Sequence, residues 1–452
     1  MILQSKFIDR EREMAFLEER YSSERAELVV IYGRRRIGKT YLLRHFLERH
    51  KGLYLVAEES RTILEDFSYR IAEYFGEPHI RESPFSNWSA LFMYLAEKAE
   101  NERTLVIIDE VQYAAKAYKE FLSVLQKVWD THLRNTKIMF ILCGSLLSFM
   151  EGILSYSSPI YGRRTGAWEM RPIPFRYMPD FHNMDPETCV MLYSVFGGIP
   201  QYWSDYDPEK DFWDNIRSLL LSKGSKYYDE PKYLLKQELR EVSRYFSILR
   251  AISQGYNTFG KIADKSMIER TSLGKYLEIL ESMGYIVMET PLTGGKRGRY
   301  RIKDPLFAFW FRYVFPKREE LEMGMDIVDE IREDFNSYVG RVFEEIATAF
   351  IRDLNMRRKL PERYEKIGRW WGKGEEIDIV GIGKNILICE VKWKEMGERE
   401  VMETVSRMKE KREKAGFSGE KIRYCIVAKR IRKREELRAK GLLLYDLDDI
   451  TS

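Results

Sequence analysis

Short apolar runs recur along the first third of the chain, each followed by a stretch whose apolar positions repeat every three or four residues. LVVIYG (28–33) closes on a glycine and leads into TYLLRHFLERH (40–50), which has helical spacing. LYLVAE (53–58), TLVIIDE (104–110) and KIMFILCGS (137–145) are further strand-like runs with helical segments between them. Brief apolar runs alternating with amphipathic helices predict a parallel sheet covered on both faces. Beyond Tyr161 the pattern breaks at Pro172, Pro174 and Pro179, and residues 185–250 read as helical.

From Tyr245 to Pro316 the order is helix, turn, helix and then a β-like hairpin around GYIVMETPLTGGKRGRYRIKD. PKREELEMGMDIVDEI (316–331) is charged and strand-free, and reads as a connecting helix. An αβ pattern returns at 337. The expected elements are a helix over 338–354, strands near 364–369, 375–382 and 385–393, a charged helix over 397–415, and strands at 422–428 and 442–446. No internal repeat is evident.

Composition changes this picture little. The 452 residues exceed one compact domain. Lys and Arg total 75 against 71 acidic residues, so the net charge of +4 does not by itself point to nucleic acid. The apolar runs all fall short of the roughly 18 residues of a membrane span. The opening residues have neither the apolar core nor the cleavage site of a signal peptide. Cys143, Cys189, Cys389 and Cys425 form no CxxC pair, which favours free thiols in a reducing cytoplasm.

Gly33-Arg34-Arg35-Arg36-Ile37-Gly38-Lys39-Thr40 fits G-x-x-x-x-G-K-[ST], with a strand before it and Tyr41 opening the helix after it. Backbone N–H groups of such a loop curl around phosphate oxygens, and the helix N-terminus adds its dipole. Lys39 is placed to reach the β- and γ-phosphates, and Thr40 to ligate Mg²⁺. LVIIDE delivers Asp109 to a strand end as a second metal-shell group, with Glu110 orienting or deprotonating the attacking water. ATP or ADP and Mg²⁺ are the expected cofactors.

These residues, with FIDREREMAFL (7–17), LCGS (142–145), PIYGRRTG (159–166) and GGIPQYW (197–203), carry a resemblance to archaeal-type STAND ATPases of the AAA+ class over about the first 235 residues. The resemblance implies that Phe7 and Arg10 lie near the adenine. It makes Ser145 the polar sensor, and gives Arg163 or Arg164 the γ-phosphate, in cis or from a neighbouring copy. It puts Gly198 and Pro200 on a lid motif, and allows self-association through the ATPase domain.

The middle region reads as a winged helix. Thr271–Met283 is the candidate recognition helix, with Leu273, Leu277 and Leu280 turned to the core. Ser272, Lys275, Tyr276 and Glu278 lie off that stripe, and the hairpin tip from Gly294 to Arg299 is basic. Either the module lies along DNA or it serves as a lid or protein contact.

In the tail, EEIDIV carries Asp378 and ICEVKW carries Glu390 and Lys392, two residues apart and therefore on one face of a strand. A hairpin through GIGKN brings Asp378 alongside, and Glu344, at the edge of an amphipathic helix, is a candidate third carboxylate. Oxygen ligands for a divalent ion beside a lysine meet the needs of phosphodiester hydrolysis. The arrangement resembles the PD-(D/E)XK nuclease fold over roughly 336–430, with Ile377 where a proline is usual. Trp370 and Trp371 either stack on bases or pack on the sheet. KRIRKREELRAK (429–440) is either a DNA footprint or a solvated helix face.

The expected architecture is an α/β multidomain chain. It comprises a P-loop AAA+ core (1–168), a helical lid (169–236), a winged helix (237–316), a linker helix (317–335) and a restriction-endonuclease-like domain (336–452). Two functions follow: an ATPase coupled to DNA binding and Mg²⁺-dependent cleavage, or a nucleotide-controlled switch whose tail only binds DNA or a protein. A transcription regulator that reads DNA through the winged helix ranks behind both.

Overall fold

The computed structural model describes residues 7–294 and 298–451. The chain divides into two compact units. One comprises the residues up to Ile173 together with Ile199–Asp205, and the other comprises Pro174–Gly198 and the residues from Tyr206 onward.

The first unit is built on five strands: β1 (Glu27–Tyr32), β2 (Gly52–Val56), β3 (Thr104–Asp109), β4 (Ile138–Gly144) and β5 (Gly166–Glu169). Their order is β2-β3-β4-β1-β5, and every pairing is parallel. The central strands β1, β3 and β4 are buried along almost their whole length, which is why they read as unbroken apolar runs. Helix α1 (Glu11–Ser22) precedes the sheet and α2 (Lys39–Arg49) follows β1. The sheet also packs Trp88, Phe92, Phe121 and Phe140 into one core through edge-to-face contacts. This parallel five-stranded sheet with flanking helices is the fold of a P-loop ATPase.

The second unit contains helices α3 (Val242–Ser253), α4 (Phe259–Ser266) and α5 (Arg270–Ser282), followed by a hairpin of β6 (Ile286–Glu289) and β7 (Arg299–Ile302). Leu273, Leu277 and Leu280 are buried on α5, and so is Tyr276. The Tyr276 hydroxyl donates to Glu241 at 2.6 Å and accepts from Arg244. Tyr276 therefore braces α5 instead of lying free on its outer face, as its spacing suggested. Of the basic hairpin tip, Gly295, Lys296 and Arg297 lie outside the described residues. Arg299 sits 5.0 Å over the Trp371 ring and 3.8 Å from Glu376.

A second sheet, separate from the first, has the order β12-β11-β10-β9-β8. Its strands are β8 (Lys366–Gly372), β9 (Glu375–Ile382), β10 (Ile386–Met396), β11 (Ile422–Ile431) and β12 (Leu443–Tyr445). β8–β9 and β9–β10 are antiparallel, whereas β10–β11 and β11–β12 are parallel. Helices α6 (Val328–Met356) and α7 (Glu398–Ala415) pack against it. Trp370 and Trp371 are buried, and Trp370 contacts Phe417 in the core.

Three expectations change here. The break expected between a linker helix and the tail at 335/336 falls inside α6, one continuous helix of 29 residues. Its buried stripe of Ile331, Phe335, Tyr338, Val339, Phe343, Ile346 and Ala347 runs across that point. The basic run 429–440 is not one helix either. Lys429 and Arg430 end β11, and only Arg434–Arg438 is helical. The expected lid segment (169–236) is shared: residues 169–173 and 199–205 belong to the first unit, and 174–198 and 206–236 to the second.

Candidate functional site

The loop after β1 is shaped by three residues with positive φ, Gly33 at 154°, Arg36 at 66° and Gly38 at 96°. At Gly33 a side chain would also collide with the Met170 carbonyl, since a Cβ would lie 2.5 Å from that oxygen. Gly38 caps α2, so the first free N–H groups of the helix open onto the loop. Lys39 is buried, and its Nζ donates to the carbonyls of Gly33 at 2.8 Å and Arg34 at 3.0 Å. Burial holds this amine below the ordinary lysine value, although Glu110 and Asp109 pull it the other way. Arg35 donates to the Tyr113 hydroxyl at 2.9 Å. Ile37 is fully buried, and Tyr41 is exposed next to Thr40.

Asp109 ends β3 with only 3 % of its surface exposed. Its Oδ2 accepts from the Thr40 hydroxyl at 2.8 Å and from the Tyr54 hydroxyl at 2.6 Å, and its Oδ1 accepts from the Glu110 N–H at 2.9 Å. A hydroxyl and a carboxylate so joined are the hard oxygen donors that Mg²⁺ takes alongside phosphates and water. Glu110 has φ of 53° at the start of the next helix. Its carboxylate accepts from Ser145 at 2.7 Å and from the Gln112 amide.

Arg10 is buried, and its guanidinium donates to the carbonyls of Ile37 and Arg171, each at 3.1 Å, while pairing with Glu13 at 3.1 Å. Arg10 thus ties the loop to the chain beyond β5. Phe7 lies against His45 with the rings tilted and 4.3 Å apart, and approaches Tyr41 at 5.9 Å, on the helix that the loop opens. Pro200 begins a short helix whose Tyr202 ring lies 6.0 Å beneath the Arg36 guanidinium, whereas Gly198 is buried in the other unit.

The two arginines go elsewhere. Arg163 makes a two-point pair with Asp130, at 3.1 and 2.9 Å. Thr165, two residues on, hydrogen-bonds Leu28 at the start of β1, the end away from the loop. Arg164 donates to the Leu154 carbonyl at 2.8 Å and covers the Tyr161 ring. Their hydrogen bonds go to Asp130, 33 positions earlier in the chain, and to the carbonyls of Pro159 and Leu154.

A second charged cluster lies on β9, β10 and α6. Lys392 Nζ is 2.8 Å from Glu390 and 3.8 Å from Asp378, so the three side chains converge. Asp378 also accepts from the Val391 N–H at 2.8 Å. The Glu390 side chain is only 6 % exposed, and its other oxygen takes Lys411 from α7 at 2.6 Å. Glu344 pairs with Arg369 at 3.1 Å, and Arg369 also holds Glu376 at 2.7 Å. Burial, then repulsion from Asp378, pushes Glu344 up to about 7. Burial and Glu390 raise Asp378 as well. Burial opposes the charge on Lys392, yet Glu390 and Asp378 outweigh it and lift the amine above its usual value.

The expectation of a three-carboxylate metal site is corrected. Among the described residues no group of three or more His, Cys, Asp or Glu side chains is placed to hold a metal ion. Glu344 is drawn to Arg369, leaving Asp378 and Glu390 as a pair bracketed by two lysines. The sequence reading passed over Tyr54, Arg369 and Lys411. Tyr54 was hidden in an apolar strand. Lys411 did leave a signal, since it extends the buried α7 stripe of Val401, Thr404, Val405 and Met408, where an ammonium needs a partner.

Residues 7–205 match the family described as an ATPase domain predominantly from Archaea, and residues 310–404 match archaeal and bacterial proteins of unknown function. An uncharacterised protein of Methanocaldococcus jannaschii is 37% identical over 453 residues, spanning 98% of this chain and all of the relative. The Walker-type ATPase of Pyrococcus abyssi is 26% identical with a TM-score of 0.52, covering 68% of this chain and 96% of that one. The ORC2 protein of Aeropyrum pernix, solved in ADPNP–ADP complexes, is 18% identical with a TM-score of 0.47, covering 70% and 95%. The chain belongs to the family of the M. jannaschii protein and is a nucleotide-binding P-loop ATPase of archaeal type. Among the described residues no helix is long and apolar enough to cross a membrane.

Proposed function

We propose that ATP turnover in the first unit controls a DNA-acting site in the second, and that this site, on a nuclease-like sheet, cleaves phosphodiesters with a divalent ion. The observation that carries the reading is the convergence of Asp378, Glu390 and Lys392 on the inner strands β9 and β10 of a mixed sheet. The resemblance to PD-(D/E)XK nucleases rests on the same three positions.

In the ATP site, Lys39 exchanges its two carbonyl partners for phosphate oxygens when nucleotide enters. Thr40 and Asp109 are the side chains that would hold Mg²⁺, whose chemistry is to neutralise phosphate charge. Glu110, held by Ser145 and Gln112, orients the attacking water and takes its proton. Phe7 flanks the helix that the phosphate loop opens, and Arg10 fixes the loop from behind. With Arg163 and Arg164 engaged locally, a γ-phosphate arginine comes from a neighbouring copy or is absent.

In the second site, Asp378 and Glu390 are the carboxylates that would hold a divalent ion, which when bound acidifies water and shields the scissile phosphate. Two carboxylates and a lysine fit that requirement, since such ions keep several waters and take the rest from substrate. Lys392 positions the nucleophilic water and stabilises charge developing on the phosphate. Glu344, with its raised affinity for a proton, can take one up near neutrality. Lys275 and Ser272 on α5 remain as side chains for a winged-helix contact with DNA.

Coupling has a physical route in the chain path. The segment 199–205 touches the phosphate loop through Tyr202 and Arg36, and both of its ends run into the second unit. Ordering it on nucleotide pulls on two covalent connections.

The experiment is cleavage of four-way, flap and linear DNA in Mg²⁺ or Mn²⁺. Asp378→Ala, Glu390→Ala and Lys392→Ala each abolish cleavage, and Lys39→Ala removes ATP turnover and the response of cleavage to ATP while retaining cleavage without nucleotide. No cleavage of any form by the wild type counts against the reading. One observation favours the alternative, a switch whose tail only binds DNA or a protein. Both Glu390 oxygens are taken by ammonium groups, Lys392 and Lys411. DNA binding without cleavage would support it.

A further inference from the structure

We propose that Tyr54 is a positioning residue for ATP hydrolysis, whose hydroxyl fixes the Asp109 carboxylate at the metal side of the nucleotide. The inference rests on the ATP site alone and is independent of the DNA reading.

Strands β2 and β3 run parallel with Tyr54 opposite Ile107 and Val56 opposite Asp109. Two residues separate Tyr54 from the level of Asp109, about 7 Å along a strand. That is the reach of a tyrosine side chain lying along the sheet edge. The hydroxyl arrives at Oδ2 of Asp109 at 2.6 Å, on the oxygen that also accepts from Thr40 at 2.8 Å.

The lone pairs of Asp109 can be followed one by one. A carboxylate has about four acceptor positions. Tyr54 and Thr40 take both on Oδ2, and the Glu110 N–H takes one on Oδ1. The buried Cys143 thiol is a further, weak hydrogen-bond partner of the same carboxylate. The strong donors Tyr54, Thr40 and the Glu110 N–H set which way this buried carboxylate faces. Thr40, donating its proton to Asp109, keeps a lone pair free for the cation. Without the phenol, Oδ2 has a single strong donor, the carboxylate can turn about its side chain, and the Thr40 hydroxyl loses its fixed orientation. Burial and the Asp109 charge both keep the Tyr54 hydroxyl protonated, so it remains a donor.

The test is binding of a fluorescent ADP to the full chain, titrated with Mg²⁺ and compared with binding in EDTA. In Tyr54→Phe the Mg²⁺ concentration giving half of the metal-dependent tightening rises about tenfold, the scale of one hydrogen bond to a charged group. Affinity in EDTA stays within about twofold, because the phosphate loop itself is untouched. In an Asp109→Asn background, Tyr54→Phe has no additional effect if the phenol acts through Asp109. An unchanged Mg²⁺ midpoint in Tyr54→Phe overturns the proposal. So does an equal loss in EDTA and in Mg²⁺, or a full additional loss in the Asp109→Asn background. If Tyr54→Leu is impaired while Tyr54→Phe matches wild type, the ring serves packing only and the assignment is wrong.

Discussion

Glu110 and Glu344 are two buried-edge carboxyls with opposite surroundings. Glu110 accepts from two neutral donors, Ser145 and Gln112, and faces the phosphate loop. Replacing it with Gln preserves shape and hydrogen bonding but removes the base. Glu110→Gln should therefore bind ATP as well as wild type and hydrolyse it at least about a hundredfold more slowly, measured by single-turnover phosphate release. Glu344 is half-buried beside Asp378, and its pKa is lifted from 4.5 to about 7. A carboxyl that holds its proton more tightly folded than unfolded stabilises the fold fully below its ordinary pKa. That contribution is lost as pH rises through the folded value. The wild type should lose stability, up to a few kcal/mol, between about pH 5 and about pH 8 relative to Glu344→Gln. Urea midpoints across that range check it, and parallel curves would contradict it.

At the scale of elements, α6 carries the clearest departure from the sequence pattern. Charge-rich residues 316–331 suggested a linker, and the helix was expected to restart near 338. The structure instead runs one helix from Val328 to Met356, because Ile331 and Phe335 continue the stripe begun further on. Gly340 sits in its interior, where a Cβ would meet Trp393 at an ordinary 3.7 Å. Gly340→Ala should then stabilise the protein by about 0.5–1 kcal/mol, read from its denaturation midpoint. A loss of stability would mean that the glycine marks a real break. The P-loop strands were legible because buried parallel strands are continuously apolar, and the loop motif has fixed spacing. The tail strands were legible to within a few residues because each carries a short apolar run, although two of their pairings are antiparallel. Tyr276 was misread because α5 is buried over a wider arc than its three leucines define. The destinations of Arg163 and Arg164 were not legible at all, since a pair such as Arg163–Asp130 joins residues far apart in sequence.

For the whole molecule, the chain passes between its two units three times, at 173/174, 198/199 and 205/206. Gly198 and Pro200, neighbours in one motif, belong to different units as a result. This path is the physical basis for proposing that nucleotide state reaches the second sheet. It also separates the two chemistries, since Lys39, Asp109 and Glu110 share no side-chain partner with Asp378, Glu390 or Lys392 in the hydrogen bonds described above. Asp378→Asn should accordingly leave ATP turnover within about twofold of wild type, which a steady-state ATPase assay reads directly. The most direct measurement of the central claim is a calorimetric Mn²⁺ titration of nucleotide-free protein whose ATP site is silenced by Lys39→Ala and Asp109→Asn. The account predicts one bound ion per chain, lost when Glu390→Gln is added. No bound ion before that change, or the same binding after it, would contradict the claim.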